Sequence, residues 1–337
     1  MQAATAPNPG LVFDTLMAHQ RSAALRTAIE LGVFRAVGEG AADSATLAAR
    51  CGTSERGMRI LCDFLCIIGL IAKNGAIYSH TPTSEIFLDP ASPHSLHATA
   101  NFLGRAEMRS TYDHLAEIVR TGRTALPGEG TVEPDNPIWV EFAHSMAPMM
   151  AAVTGPLGTV VLAGRTGPMK VLDIAAGHGL FGIEIAKQHP EAQIVAVDWE
   201  KVLEVAYANA QKAGVADRYQ RLPGSAFDVE YGGPYDAALL TNFLHHFDVP
   251  TNVALLRKVR AALKPGGISA TLEFVPNEDR ISPPMAAGFS LTMLASTGSG
   301  DAYTFSQLEA MHREAGFRRI EMHTIPQSPH TVVTGIA

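Results

Sequence analysis

Along the first third of the chain, apolar residues recur at helical spacing. Residues 11–37, LVFDTLMAHQRSAALRTAIELGVFRAV, predict two helices with Gly32 as the stop between them. SATLAARCG and SERGMRILCDFLCIIGL each begin with a serine suited to N-capping and continue as amphipathic helices. GLIAKNGAIYSHTP then reads as a hairpin, two apolar runs turning at Asn74 and Gly75. Helices followed by a hairpin make a winged-helix pattern.

The middle of the chain changes character. Residues 122–137, GRTALPGEGTVEPDNP, are turn-rich and linker-like. IWVEFAHSMAPMMAAVTGPLGTVVL is helical in pattern, interrupted by Pro148 and Pro156, and reads as connecting helices. From Lys170 strands alternate with helices: KVLDIA and a helix to His189, AQIVAVD and a helix to Ala213, YQRLPG, YDAALLTN, a helix to Leu263, then GISATLEF. Apolar strands alternating with helices imply a parallel sheet covered on both faces, and the closing FRRIEMHTIP and HTVVTGIA predict an antiparallel hairpin at its edge. The fold class expected is α/β: a Rossmann-like, mostly parallel sheet with an antiparallel C-terminal strand, preceded by an all-α, winged-helix domain. The predicted division is 1–105, a connecting segment 106–165, and 166–337.

A length of 337 residues suits two cores, and 47% hydrophobic against 18% charged residues describes a globular chain. The formal charge of -7 provides no general attraction to phosphate backbones, so nucleic acid is not an expected partner. Cys51, Cys62 and Cys66 form no even framework and read as reduced core thiols. MQAATAPNPG lacks the basic start and long apolar stretch of a leader, and no later run reads as the roughly 18 apolar residues of a membrane span. A cytoplasmic protein without a membrane partner is expected. The histidines lack ligand spacing with cysteines or carboxylates, so no metal is expected.

The candidate chemistry begins in VLDIAAGHGLFG, residues 171–182, where Gly177, Gly179 and Gly182 spell the dinucleotide pattern G-x-G-x-x-G. In a dinucleotide fold the strand runs straight into the first glycine, whose helix meets a pyrophosphate. Here Asp173 stands in between, where a carboxylate would repel phosphate and attract an ammonium group. Asp198, ending the second strand, can hold a ribose diol of either NAD or S-adenosylmethionine. Gly182 reads as a helix residue.

Asp173, the glycine turn, Asp198, RLPGSAFD, YDAALLTNFLHHF, LKPGG and the terminal hairpin follow one another as in class I S-adenosylmethionine-dependent methyltransferases. With the winged-helix front end, the chain resembles the small-molecule O-methyltransferases of plants and bacteria that dimerise through an N-terminal domain. The resemblance implies that Asp173 to Gly179, Gly177 included, cradle the methionine part of the cofactor. Asp198, with Trp199 beside it, holds the ribose; Ser225 and Ala226 border the adenine; Thr241 stands where the branch often has lysine. Two departures are Ala175 for the first glycine of the turn and Ser225 for an adenine-contacting Asp.

Methyl transfer needs an acceptor lone pair aligned with the C–S bond, and a hydroxyl acceptor must also lose its proton. By resemblance His245 in NFLHHFDVP is the general base, with His246 the other possibility and a packing role for both a third. Histidine suits the task because its ordinary pKa lies near neutrality. Against a phenol the gap is roughly 3.5 units, or about 5 kcal/mol, so proton removal is expected to accompany methyl transfer. Glu273 in TLEFVP and Asp301 in GSGDAYTF take the positions of the family's acidic partners, Asp301 as a shortened version of Glu. Phe142, Met146 and Met293 match positions that line an aromatic acceptor, although methionines at helical spacing are often plain core. The reading is therefore an S-adenosylmethionine-dependent O-methyltransferase for a small aromatic acceptor, leaving S-adenosylhomocysteine and working as a homodimer. Carbon or nitrogen methylation on the same fold, a winged-helix regulator and a nicotinamide oxidoreductase are the alternatives.

Overall fold

A computed structural model describes residues 7–133 and 135–337. The chain divides into two compact units, Met1–Arg105 and Ala106–Ala337. Residues 106–165 form no separate body.

The first unit carries helices Pro9–Leu16, Ala18–Glu30, Val33–Gly38, Ser44–Cys51 and Glu55–Ile67, then the antiparallel hairpin of β1 (Ile71–Asn74) and β2 (Ile77–His80). Gly32, at φ 72°, makes the left-handed stop expected of it, and a further break falls at Met17. The serine expectation holds for Ser54, which caps Glu55–Ile67 by accepting from the Gly57 amide. For the preceding helix the cap is Asp43, which accepts from Thr46, and Ser44 is the first helical residue. Phe34, Leu47, Met58, Leu65, Ile71 and Tyr78 close the core. The carboxylate of Asp63 ties helix to hairpin, accepting from Tyr78 Oη at 2.8 Å and Lys73 Nζ at 2.5 Å. All three cysteines are free thiols, and burial pushes the Cys62 thiol up to about 12.

The second unit is built on seven strands: β3 (Met169–Ile174), β4 (Ala192–Asp198), β5 (Tyr219–Pro223), β6 (Tyr235–Thr241), β7 (Leu263–Phe274), β8 (Arg318–Thr324) and β9 (His330–Ile336). Their order is β5-β4-β3-β6-β7-β9-β8; the first five are parallel and β9 runs antiparallel to both neighbours. Period-two alternation sorts the side chains onto two faces. Val171, Ile194, Ala196, Leu239 and Ala270 pack against helices Ile138–Leu162, Leu180–Gln188 and Glu200–Lys212, whereas Leu172, Ile174, Val195, Val197 and Leu240 meet helices Val249–Ala262 and Phe305–Glu314.

Two expectations need correction. Ile138–Leu162 is one continuous helix through Pro148 and Pro156, and it is long and apolar enough by length and composition to cross a membrane. Its Met150, Val153, Leu157 and Val161 are buried in the core of the sheet, which compensates the amide hydrogen bonds the prolines cannot make. The last parallel strand begins earlier than GISATLEF: LKPGG is the first part of β7, with a register shift against β6 between Tyr235 and Ala237.

The glycine turn after β3 has left-handed backbone at Ala175 (φ 53°), Gly177 (φ 56°) and Gly179 (φ 75°). At Gly179 a methyl group would also stand 2.9 Å from Ala206 Cβ and 2.7 Å from Tyr219 Oη. Gly182 is more than a helix residue. A Cβ there would meet Ile194 Cγ2 at 2.7 Å and Asp173 Oδ2 at 2.8 Å, so glycine lets the helix lie close on the sheet. Opposite stability effects follow. Gly179→Ala is expected to cost about 2–3 kcal/mol, from left-handed strain and overpacking. Ala175→Gly is expected to gain up to about 1 kcal/mol, strain relief offset by unfolded-chain entropy. Urea denaturation of both variants measures this, and a stabilised Gly179→Ala protein would contradict the packing described.

Candidate active site

The order of strands reverses at β3, which has β4 on one side and β6 on the other. Past the carboxyl ends of such neighbouring strands the following segments part, and open α/β sheets bind ligands there. A cavity of about 480 Å³ opens at this point. Its wall includes Ala175 to His178 from the glycine turn, Asp198 and Trp199 from the end of β4, Ser225 to Asp228, and Thr241 to Phe243 after β6. Trp139, Phe142 and Met150 of the long helix complete it, together with His246 and Phe247.

Asp198 is held by the turn it serves. Its Oδ2 accepts the Gly177 amide at 2.9 Å and its Oδ1 the Trp199 amide at 2.7 Å. Burial nonetheless pushes its carboxyl up to about 6. Ser225 Oγ accepts from the Phe227 amide at 3.1 Å, and the Ala226 carbonyl accepts from Tyr231 and Lys258. Phe227, Phe243 and Phe247 pack edge-on or tilted, with ring centroids 5.0–6.3 Å apart, and form an aromatic wall.

Asp173 lies elsewhere. It is 0% exposed and does not belong to the cavity wall; its Oδ2 accepts the Gly182 amide at 3.2 Å and its Oδ1 has no partner. Burial pushes its carboxyl up to about 7. Gly179 likewise lies behind the wall.

His245 and Glu273 form a buried pair beside the cavity. His245 Nδ1 lies 2.5 Å from Glu273 Oε2, and Glu273 Oε1 accepts the amides of Phe243 at 3.0 Å and Leu244 at 2.8 Å. One carboxylate thus fixes both the imidazole and the short turn that carries it. Asn252 Nδ2 closes the turn by donating to the carbonyls of Leu244 and Phe247. With Glu273 ionised, the proton of His245 sits on Nδ1 and the lone pair on Nε2.

Asp301 departs from the expectation of a second acid on the imidazole. Its carboxylate pairs with Arg280 Nη2 at 2.5 Å, and it meets His245 through its backbone amide, which donates to the His245 carbonyl at 3.0 Å. The short side chain leaves Glu273 as the imidazole's carboxylate. His246 lines the cavity against Trp139, at 5.3 Å between ring centroids, and its Nδ1 has no partner. Burial and the neighbouring His245 hold it well below its ordinary pKa.

Of the residues expected from sequence, Gly177, Asp198, Trp199, Ser225, Ala226, Thr241 and Phe142 line the cavity. Met146 and Met293 are buried outside its wall. Sequence reasoning passed over His178, Asn242, Trp139 and the three phenylalanines. Trp139 and Phe142 share a helix face at i, i+3 spacing, and Phe243 and Phe247 flank the histidine pair, which were the available signals.

Comparison with known proteins identifies the family. A family model for a methyltransferase domain matches residues 171–267, and one for an O-methyltransferase dimerisation domain matches residues 13–90. A crystal structure from Nostoc punctiforme assigned to the O-methyltransferases is 47% identical, covering 98% of this chain and 100% of that one with a TM-score of 0.95. The chain belongs to the S-adenosylmethionine-dependent O-methyltransferases. Within the family, mouse acetylserotonin O-methyltransferase is 29% identical over 89% of this chain and 81% of its own. The 3-hydroxy-5-methyl-1-naphthoate 3-O-methyltransferase of Streptomyces sahachiroi is 27% identical over 91% and 89%. Membership sets aside the oxidoreductase reading of the glycine turn and the regulator reading of the winged helix. The cavity suits the family's cofactor: Asp198 stands at its rim, and a Cβ at Gly177 would meet nothing nearer than the Ala175 carbonyl at 3.9 Å.

The buried acid beneath the turn has a measurable signature. Unfolded, Asp173 ionises near 3.8; folded, it keeps its proton until about pH 7. Between these values the folded chain binds more protons, so the group's contribution to stability falls as pH rises and is fully lost above about pH 7. Burial holds His178, His312 and His330 near 4, which slopes the other way below about pH 6.5, so the test compares two proteins rather than two pH values. Asp173→Asn keeps an acceptor for Gly182 and is expected to exceed the unsubstituted protein in stability by a margin that grows between about pH 4 and pH 7. Urea melts at pH 4.5 and pH 8 giving equal differences would contradict it.

Proposed function

We propose that this protein methylates a hydroxyl group on a small aromatic molecule, with His245 Nε2 taking the hydroxyl proton. The observation that carries this reading is the 2.5 Å contact between His245 and Glu273 in a turn whose amides the same carboxylate holds. When bound, S-adenosylmethionine supplies a methyl group on a positively charged sulfur. This chain's own work is to hold the acceptor in line and to receive its proton. Glu273 orients the imidazole with Nε2 free, and its charge stabilises the imidazolium that forms. His246 has no such orienting partner.

The aromatic acceptor is supported by the relatives, whose names specify acetylserotonin and a hydroxynaphthoate, and by the side chains about the base. Phe289 stands edge-on to His245 at 4.9 Å, and Phe142 supplies further apolar surface on the cavity wall, with Met146 and Met293 buried outside it. For the cofactor, the turn from Asp173 to Gly179 holds the amino-acid part, Gly177 approaching it and Asp173 supporting from beneath. Asp198 and Trp199 take the ribose, Ser225 and Ala226 the adenine edge, and Thr241 borders the sulfur. Three free thiols suit a reducing compartment, the cytoplasm.

Kinetics test the base. His245→Ala is expected to lower kcat on a phenolic acceptor by about 10²–10⁴-fold while leaving cofactor KM nearly unchanged. Glu273→Gln is expected to lower kcat. Full activity of His245→Ala on an accepted phenol would end the proposal.

The protein works as a homodimer through its N-terminal domain. Helix Pro9–Leu16 has no buried residue, and Leu11, Phe13 and Leu16 are 71%, 64% and 64% exposed, an apolar surface that a monomer rarely leaves open. Light scattering is expected to give twice the chain mass, and Phe13→Asp with Leu16→Asp to shift it toward one chain. A monomer at micromolar concentration before substitution would refute the dimer.

A further inference from the structure

The amino-acid tail of S-adenosylmethionine is a zwitterion, so a site that holds it must offer a donor to its carboxylate and an acceptor to its ammonium. Asp173, the acid the sequence offers to the ammonium, is sealed beneath the turn and outside the cavity wall. Asp198 accepts the amides of Gly177 and Trp199, one at each carboxylate oxygen, and its remaining acceptor capacity is assigned above to the ribose. Two other side chains of the cavity wall retain polar atoms of the required kinds.

His178 sits inside the glycine turn, between left-handed Gly177 and Gly179 and just ahead of helix Leu180–Gln188. Its Nδ1 accepts the Leu180 amide at 3.1 Å, so its proton lies on Nε2, and burial keeps the ring neutral by lowering it to about 4. An imidazole fixed in this tautomer presents an N–H donor with no competing acceptor on the same atom. Alternating left-handed residues and a helix N-terminus add a field favourable to an anion at the same place.

Asn242 follows β6 directly, beside the strand that feeds the turn, since Leu240 pairs with Ile174. Its backbone is left-handed at φ 53°, a conformation that carries local strain and recurs at functional sites. The side-chain Nδ2 donates to Met150 Sδ at 3.4 Å, which turns Oδ1 the other way. That oxygen is buried and has no partner. A buried carbonyl oxygen without a donor is costly, and a ligand's ammonium removes the cost.

We propose that these two residues read the two charges of the cofactor tail: His178 Nε2–H bonds the carboxylate and Asn242 Oδ1 accepts from the ammonium. The assignment rests on the S-adenosylmethionine-dependent reading above and adds residue-level discrimination to it. Neither residue type is demanded by the glycine pattern.

Three probes separate the charges. S-adenosylhomocysteine carries both, its decarboxylated analogue only the ammonium, and 5′-methylthioadenosine neither. Titration calorimetry on the full chain compares the unsubstituted protein with His178→Asn, whose side chain can still accept from Leu180, and Asn242→Gly, which keeps the left-handed backbone. His178→Asn is expected to lose about tenfold or more in affinity for S-adenosylhomocysteine and to bind the other two within about twofold of the unsubstituted protein. Asn242→Gly is expected to lose about tenfold for S-adenosylhomocysteine and the decarboxylated analogue alike, and to keep 5′-methylthioadenosine. A uniform loss for all three probes, no loss, or the reverse pairing of residue and charge overturns the assignment while leaving the cofactor reading intact. Failure of the folded, unsubstituted protein to bind any of the three ends the cofactor reading and this assignment with it. His178→Gln and Asn242→Ser replace either variant that does not melt cooperatively.

Discussion

A sheet buried on both faces admits ionisable side chains most readily where its strands end, and the candidate site follows from that constraint. β3, β4 and β6 are apolar through their middles, β7 carries buried Ser269 and Thr271 there, and the four strands place Asp173, Asp198, Thr241 and Glu273 near their carboxyl ends. Because these strands are parallel, the four residues lie toward one edge of the sheet. The reversal of strand order at β3 keeps the loops there from closing over one another. Two buried carboxylates then organise the loops by accepting backbone amides. Asp173 takes Gly182 in the first turn of helix Leu180–Gln188, and Glu273 takes Phe243 and Leu244 in the turn that carries His245.

These groups and their neighbours are largely buried. Burial raises Asp173 and Asp198 and lowers His178, His246 and His330. Each hydrogen bond in such a medium counts for more than it would in water, and each unmatched polar atom costs more. Asn242 and His246, both of the cavity wall, carry such unmatched atoms. The same logic separates the two neighbouring histidines. His245 has a carboxylate at one nitrogen, whereas His246 is packed against Trp139 without one.

Left-handed backbone also occurs at this edge. Ala175 and Asn242 both adopt left-handed conformations just after adjacent strands, where the chain must turn sharply to open the cavity. Ala175 carries its strain without the relief a glycine would bring, and Asn242 uses its turn to aim an amide. Close packing beneath explains why Gly179 and Gly182 tolerate nothing larger.

Much of the fold was legible in the sequence because its causes are local or periodic. Alternating apolar strands and helices predicted the sheet, and the order Asp173, glycine turn, Asp198, histidine pair and Glu273 predicted which strand ends carry polar groups. Continuity of the helix through Pro148 and Pro156 was hidden, since burial against the sheet outweighs the local penalty of proline. The capping residue Asp43 was hidden by an equally suitable neighbour, Ser44. At the site, residue identity could not say which polar atoms were already spent. Asp301 pairs with Arg280 instead of the imidazole, and Asp173 turns beneath the glycine turn instead of facing the cavity. Pattern along the chain determined which residues reach the edge of the sheet; only packing in three dimensions decided which way each side chain faces and which hydrogen-bonding partners it has left.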